Sequence, residues 1–405
     1  MNNNSLIYSI KDKKIFNIYV FSFFTLFLQS IHVWFLWGNL FKIFCPLFFV
    51  FASLLNRTKN SGLYRKRQYL HIGAITFIVT FLALRGSYDA GILSIGKALI
   101  GVFTLYDVLL LSQATCIYFI RFLTKAFGVI TIISLLGWIM FLLGVSMPHV
   151  YIVDKEFGYS FQNYYIFLYN ELGFIPRYCS IFLEPGYYAQ LAAIILYANK
   201  MKINNCYTIA ILIGVLFSLS LAGYSLVAIG FFFIYLKRKH LKVLILGAIL
   251  GHFLISGVKS YNDGNNAVNL LILSRLEFED GEMAGYNRSG EDFDYYMETT
   301  FMQNGLFLFG LGSDFEKMKW DHGVAGYKVY IAQKGYIGLL MAILAYWYIV
   351  ERIPKPKRQM KLFFLLIMIL YWQAAYPFWF CYFALYVTGL ANLNIDDENI
   401  ILVKS

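Results

Sequence analysis

The sequence predicts an all-α, polytopic integral membrane protein, and three observations predict it. Hydrophobic residues make up 59% of the 405-residue chain and charged residues only 14%, with a mean hydropathy of +0.60. A soluble globular chain is about a quarter charged. Apolar runs of about 20 residues recur between short charged loops, and that is the length an α-helix needs to cross the hydrocarbon core. The third observation is the position of the basic residues. Of the 34 Lys and Arg, 21 fall in six clusters, around Lys14, Arg65, Arg121, Lys200, Arg238 and Lys357. They lie at alternate ends of the apolar runs, as the positive-inside rule requires of cytoplasmic loops. The net charge of +11 is therefore a topology signal. Its expected contact is the bilayer with its anionic head groups, not nucleic acid.

The elements follow from Lys14, read as cytoplasmic. Spans are expected near 15–37, 39–56, 70–87, 92–118, 126–146, 187–199, 204–220, 222–236, 243–258, 331–350, 362–376 and 378–393. That is about 12 transmembrane helices in a single membrane domain covering 1–405, with both termini cytoplasmic. The first apolar run is longer than a secretory h-region and further runs follow, so it reads as a span. Stretch 204–236 is bounded at both ends by Lys, and 362–393 by Lys361 with Lys404 beyond its far end, so each is expected to cross twice. Gly223 and Pro377 suit the tight outer turns. Two extracytoplasmic loops are long, 147–186 and 259–330. The second carries twelve of the 23 Asp and Glu against six bases, the opposite sign to the inner face. Long loops on the outer side alone put the chemistry there.

Metal and disulfide chemistry find little support. Cys45, Cys116, Cys179, Cys206 and Cys381 are scattered, and neither CxxC nor HExxH occurs. No cofactor and no metal are expected.

The candidate residues stand in the two long loops. Arg177 and Glu184 lie seven residues apart at the mouth of a span, where charges are costly and usually functional. A guanidinium fits phosphate oxygens and keeps its charge; a snorkelling arginine on ordinary lipid phosphates is the plainer reading. Glu184 precedes Pro185, so it reads equally as a helix-capping acid, a salt-bridge partner of Arg177 or a base. Arg275 and Arg288 could offset the second charge of a diphosphate or pair with nearby carboxylates. His322, in Trp-Asp-His-Gly, is a candidate general base or a surface histidine. Ser218, Ser220, Gly223 and Ser225 read as helix packing. Asp107 and Lys97 share an expected span and receive no role.

These residues resemble the bacterial O-antigen polymerase family, within the O-antigen ligase/polymerase superfamily. The resemblance has three parts: Arg177-x-x-Ser180-x-Phe182-x-Glu184-Pro185; Arg288-Ser-Gly leading to Gly310-Leu-Gly312; and His322 followed by Gln333-Lys-Gly335-Tyr-Ile-Gly338. It implies a GT-C-like membrane fold and a metal-independent glycosyltransferase of the bacterial inner membrane, working on the periplasmic face. The implied substrate is an oligosaccharide repeat on undecaprenyl diphosphate. The implied reaction polymerises those repeats with inversion, and a polysaccharide chain-length regulator stays open as a partner. Arg177 and Arg288 (or Arg275) would bind the diphosphate. His322 would be the base, with Glu184 its competitor. The alternatives are an O-antigen ligase moving polymer to lipid A core, with the same fold, and a lipid-linked oligosaccharide flippase, against which the absence of repeated halves argues.

Overall fold

A computed structural model of the chain describes residues 10–64, 69–85, 92–154, 159–170, 175–235, 253, 255–276, 278–279, 282–283, 290–303, 305–318, 320, 326–351, 353, 356–374 and 376–395. In chain order these form α1 (Lys13–Ser30), α2 (Asn39–Lys59), α3 (Tyr69–Arg85), α4 (Ile92–Leu110), α5 (Gln113–Leu142), β1 (Val150–Val153), β2 (Ser160–Asn163), β3 (Leu168–Tyr169), α6 (Pro185–Ala198), α7 (Cys206–Ser218) and α8 (Leu221–Tyr235). After them come β4 (Phe278–Glu279), β5 (Glu282–Met283), α9 (Glu291–Tyr296), α10 (Leu306–Phe309), α11 (Tyr327–Glu351), α12 (Arg358–Tyr371) and α13 (Phe380–Leu393). The protein is predominantly helical. Helices α2, α5 and α11 are long and apolar enough to cross a membrane by length and composition. The expected span 243–258 lies largely outside the described residues.

The chain divides into two compact units, residues 1–123 with 288–405, and residues 124–287. In the first, α1 starts where the Asp12 side chain accepts from the Ile15 N–H at 3.0 Å, a side-chain N-cap. Buried Asn60 accepts from the Lys11 and Asp12 N–H groups at 2.8 and 2.9 Å, which ties the start of α1 to the end of α2. Phe23 stacks on Phe119 at 4.4 Å and meets Phe380 edge-on. All of α13 is buried. A helix apolar on every side belongs inside a protein or a membrane rather than at a water interface.

Two differences from expectation have local causes. The run expected as one span over 92–118 breaks at Leu111–Ser112. There the Ser112 N–H donates to the Leu63 carbonyl at 2.9 Å and Ser112 Oγ accepts from the Thr115 N–H at 3.3 Å. The hydroxyl caps a new helix, α5, of 30 residues. The second difference is an antiparallel sheet, β1-β2-β3, within the loop expected at 147–186. Val150 pairs with Asn163, and Gln162 with Tyr169. Next to β3, buried Phe167 packs edge-on against Trp138 of α5 at 5.5 Å.

The second unit is built round α6, whose residues Tyr188–Ala198 are all buried against α7 and α8. Small residues permit this. A Cβ at Gly214 would strike the Tyr188 ring, and one at Gly223 would overlap the Ala189 methyl. Close approach of this kind is the usual reason for small residues between membrane helices.

In the first unit α11 is broken at Gly335 (φ 70°, ψ 175°). Gly310, which ends α10, has nearly the same angles (φ 71°, ψ 175°). This region of conformational space is essentially reserved for glycine. The two glycines face one another. A Cβ on Gly310 would lie 2.5 Å from the Gly335 nitrogen, and one on Gly335 would lie 2.5 Å from the Phe309 nitrogen. The Leu311 N–H then donates to the Ala332 carbonyl at 2.8 Å. The Gly310-Leu-Gly312 and Gln333-Lys-Gly335 segments, far apart in sequence, thus form one backbone-to-backbone contact.

Candidate functional site

The segment from Arg177 to Pro185 crosses from the small sheet to α6 in the second unit. Its apolar side is anchored first. Phe182 is buried and stacks on Phe127 at 5.5 Å, and Tyr178 meets Tyr188 edge-on at 5.0 Å. Ser180 is buried with φ 54°, and its carbonyl accepts from the Leu168 N–H at 2.8 Å. Cys179 Sγ donates to the Leu168 carbonyl at 3.0 Å. Burial pushes its thiol up to about 12, against the partial counter-pull of Arg177. Ser180, Phe182 and Cys179 are thus the anchor of the segment.

Arg177 and Glu184 are the residues left half exposed by that anchor. The Arg177 guanidinium donates through Nε to the Ser218 carbonyl at 3.2 Å and through Nη2 to the Leu219 carbonyl at 3.0 Å. Those carbonyls are at the C-terminal end of α7, where Leu219 takes a left-handed conformation (φ 46°). A cation there satisfies orphan carbonyls and the negative end of the helix dipole. Two of the five N–H groups of the guanidinium are used in this way, and the remaining three are available to a ligand. Burial lowers the Arg177 pKa from its ordinary value; the Arg275 cation lowers it further, while Cys179, Glu184 and Tyr224 oppose the change. Arg177 therefore feels the charge of Arg275 as a repulsion and that of Glu184 as an attraction. Arg275 follows the π-turn Asn269–Leu273 and is half exposed.

Glu184 is the N-cap residue of α6, with Pro185 at the first helical position, but its side chain accepts no capping hydrogen bond. Among the described residues Arg177 and Glu184 make no ion pair with each other. The carboxylate therefore contributes charge at the helix N-terminus and keeps its oxygens open. Ser220 Oγ accepts from the Gly223 N–H at 3.3 Å, an ordinary helix-start contact. Arg288 and His322 lie outside the described residues. Among the described residues no three His, Cys, Asp or Glu side chains gather as a metal site would require.

A second polar constellation was not foreseen. In the first unit Asp107 of α4 is fully buried and is the hub of a knot across three helices. Its Oδ1 accepts from Arg57 Nη2 at 2.6 Å, Arg57 Nε at 3.0 Å and Ser53 Oγ at 2.5 Å, and its Oδ2 accepts from the Tyr19 hydroxyl. The Arg57 guanidinium also lies over the rings of Tyr64, Tyr106 and Phe103 at 5.0–5.7 Å. A buried carboxylate is stable only when paired and hydrogen-bonded in this way. The available signal was a lone acid in an apolar run and an arginine near a helix end, 50 residues apart.

No family model matches the chain, and no curated protein or solved structure shows significant similarity to it.

Proposed function

We propose that this chain is a metal-independent membrane glycosyltransferase that polymerises oligosaccharide repeats carried on a lipid diphosphate, undecaprenyl diphosphate in the family it resembles. The observation that carries the proposal is that Arg177, with three N–H groups still available, feels the charges of Arg275 and Glu184. Two guanidiniums that feel each other's charge repel until an anion joins them, and a diphosphate brings two negative charges with oxygens that match the guanidinium fork. In the proposed reaction the bond between the sugar anomeric carbon and the departing diphosphate breaks, and that carbon bonds to the acceptor hydroxyl oxygen. The hydroxyl proton passes to a base. Negative charge grows on the diphosphate as the sugar becomes oxocarbenium-like, and the arginines stabilise it there. His322 is the base the resemblance points to. Glu184, with both oxygens uncapped, is its competitor.

The test is polymerisation of purified lipid-linked repeats in liposomes containing only this protein. Longer lipid-linked products support the reading, and translocation without longer products would overturn it. Because Arg177 also caps α7, Arg275→Ala is the cleaner probe of the pair. It is expected to cut turnover at least tenfold without lowering the melting midpoint. Full activity in Arg275→Ala and Arg177→Lys together would refute the diphosphate role.

A further inference from the structure

One side of α5 faces outward. Val129, Ile133, Leu136, Met140 and Leu143 are all exposed and recur every three or four residues, which puts them in one stripe on a helix. Exposed Lys125 stands at one end of that stripe. From Lys125 to Leu143 is about 27 Å at 1.5 Å per residue, close to the roughly 30 Å of a bilayer's hydrocarbon core. The stripe has the length and composition of the lipid-facing side of a span. The chain then leaves α5 at the bilayer boundary opposite Lys125.

The sheet β1-β2-β3 begins seven residues after Leu143, and its surface keeps the same apolar character. β1 is an edge strand. It exposes Val150, Tyr151 and Val153, the last two at 68% and 58%. Edge strands in water are usually blunted by charge. Here the described residues 143–154 and 159–170 contain one Asp, Glu, Lys or Arg side chain, that of Asp154, and it is buried. The turn between β2 and β3 continues the apolar surface beside the helix. Ile166 lies against Gly137 of α5, where a Cβ would strike its Cδ1, and neighbouring Tyr165 is 51% exposed. Gly137 is six residues before Leu143, so the turn reaches back about 9 Å along α5, from the boundary toward the core. Its backbone suits that depth. The Tyr164 N–H donates to the Phe167 carbonyl at 3.0 Å, the Ile166 N–H to the Tyr164 carbonyl at 2.8 Å, and the Tyr165 N–H to Asn163 Oδ1 at 2.8 Å. All three amides at the tip are thus bonded locally. In water a leftover N–H finds a solvent partner; in hydrocarbon it must be satisfied by the protein.

We propose that this sheet is an interfacial membrane anchor. The Tyr164–Phe167 turn dips into the edge of the hydrocarbon beside α5, and the Val150–Val153 edge lies among the lipid head groups, where tyrosine is enriched. The partner is the lipid surface itself. A second copy of the chain pairing along β1 would cover that strand alone, whereas the exposed apolar surface runs on through the turn and down the α5 stripe. The anchor bears on the candidate site. The Leu168 N–H donates to the Ser180 carbonyl, and Cys179 Sγ donates to the Leu168 carbonyl. A sheet fixed at the boundary therefore also fixes the height of the Arg177 segment relative to the lipid phosphates. The proposal rests on α5 crossing a bilayer and not on the transferase reading.

The test is the depth of single spin labels on the full chain in liposomes of phosphatidylcholine and phosphatidylglycerol. Exposed Cys206 is replaced by serine. Labels are then placed one at a time through Tyr165→Cys and Val153→Cys, with Leu136→Cys as the lipid-facing reference and Asn204→Cys, in the polar turn before α7, as the water-facing one. All four side chains are exposed, and the melting midpoint of each variant checks that the fold is kept. Depth is read as the ratio of collisions with oxygen to collisions with a water-soluble nickel chelate. The Tyr165→Cys ratio is expected near that of Leu136→Cys and severalfold above that of Asn204→Cys, with Val153→Cys between the two references. A Tyr165→Cys ratio equal to that of Asn204→Cys would overturn the anchor. Dipolar broadening of the Val153→Cys label that persists when the protein is diluted in lipid would assign β1 to pairing between copies and overturn its place among head groups. A Leu136→Cys ratio equal to that of Asn204→Cys would remove the lipid-facing stripe, and the proposal with it.

Discussion

Replacing Gly335 by alanine should destabilise the first unit by two separable effects. The conformation at Gly335, φ 70° and ψ 175°, costs a non-glycine residue about 1–3 kcal/mol. The new Cβ would also lie 2.5 Å from the Phe309 nitrogen and closer still to the Leu308 carbonyl group, both of them backbone. Backbone cannot rotate out of the way, so the α10–α11 contact must open. At roughly 2–4 °C per kcal/mol for a body of 150–250 residues, the conformational cost alone lowers the melting midpoint by about 2–12 °C. Gly310→Ala should behave alike, because its Cβ would meet Gln333 and Gly335 at 2.5 Å. The two glycines share one contact, so the double variant should cost less than the sum of the singles, by more than the ~0.5 kcal/mol expected of independent sites. Gly96→Ala is the control. It sits in α4 with nothing within 4 Å of its Cβ, and relief of the helix penalty of glycine should be neutral or stabilising by up to about 1 kcal/mol. Thermal unfolding in detergent, followed by the loss of monodisperse protein, measures all four. A Gly335→Ala midpoint equal to wild type, or a Gly96→Ala drop of the same size, would refute the reasoning.

Three further outcomes are expected. Asp107→Asn leaves Arg57 without its anion and should destabilise by about 3 kcal/mol, the low end for a broken buried pair because the Arg57 side chain keeps 25% exposure; Asp107→Leu with Arg57→Met should recover most of that loss in the same melting assay. Arg177→Ala removes two charge-assisted bonds to the end of α7 and should cost about 1–3 kcal/mol, whereas Arg177→Lys should retain part of this. For Cys179 the folded thiol is raised from its ordinary 9.0 to about 12, so its contribution is complete below pH 9 and is lost as pH rises toward 12. Wild type should therefore lose stability relative to Cys179→Ala between pH 9 and 10.5, and at pH 8 a maleimide should modify exposed Cys206 and spare Cys179; equal labelling of the two would contradict the burial.

Much of the helix framework was legible because apolar length is a local property. Stretches 204–220, 222–236 and 378–393 correspond to α7, α8 and α13 within three residues at either end. The break at Leu111–Ser112 was hidden because Leu109, Leu110 and Leu111 continue the apolar run across it. The only mark it left is a serine three residues before a threonine, a weak capping signal. The sheet at 150–169 was hidden for the opposite reason, since strands of two to four residues are too short for a periodicity to emerge. At the candidate site the charges of Arg177, Glu184 and Arg275 were visible. The helix end that Arg177 caps was not, since its carbonyls come from Ser218 and Leu219, some 40 residues on.

The lysines show how a grouping can be invisible one residue at a time. Lys42, Lys97 and Lys334 each stand in or beside an apolar run, and each alone reads as a cation reaching for the interface. Only helix packing brings α2, α4 and α11 round one cavity. Their sequence separation, 55 and 237 residues, has no period that a pattern could detect. What the three share is a position in the fold, near the same end of the bundle. The break at Gly335 belongs to the same arrangement, because a straight α11 would carry the chain past Lys334 with a different helical phase.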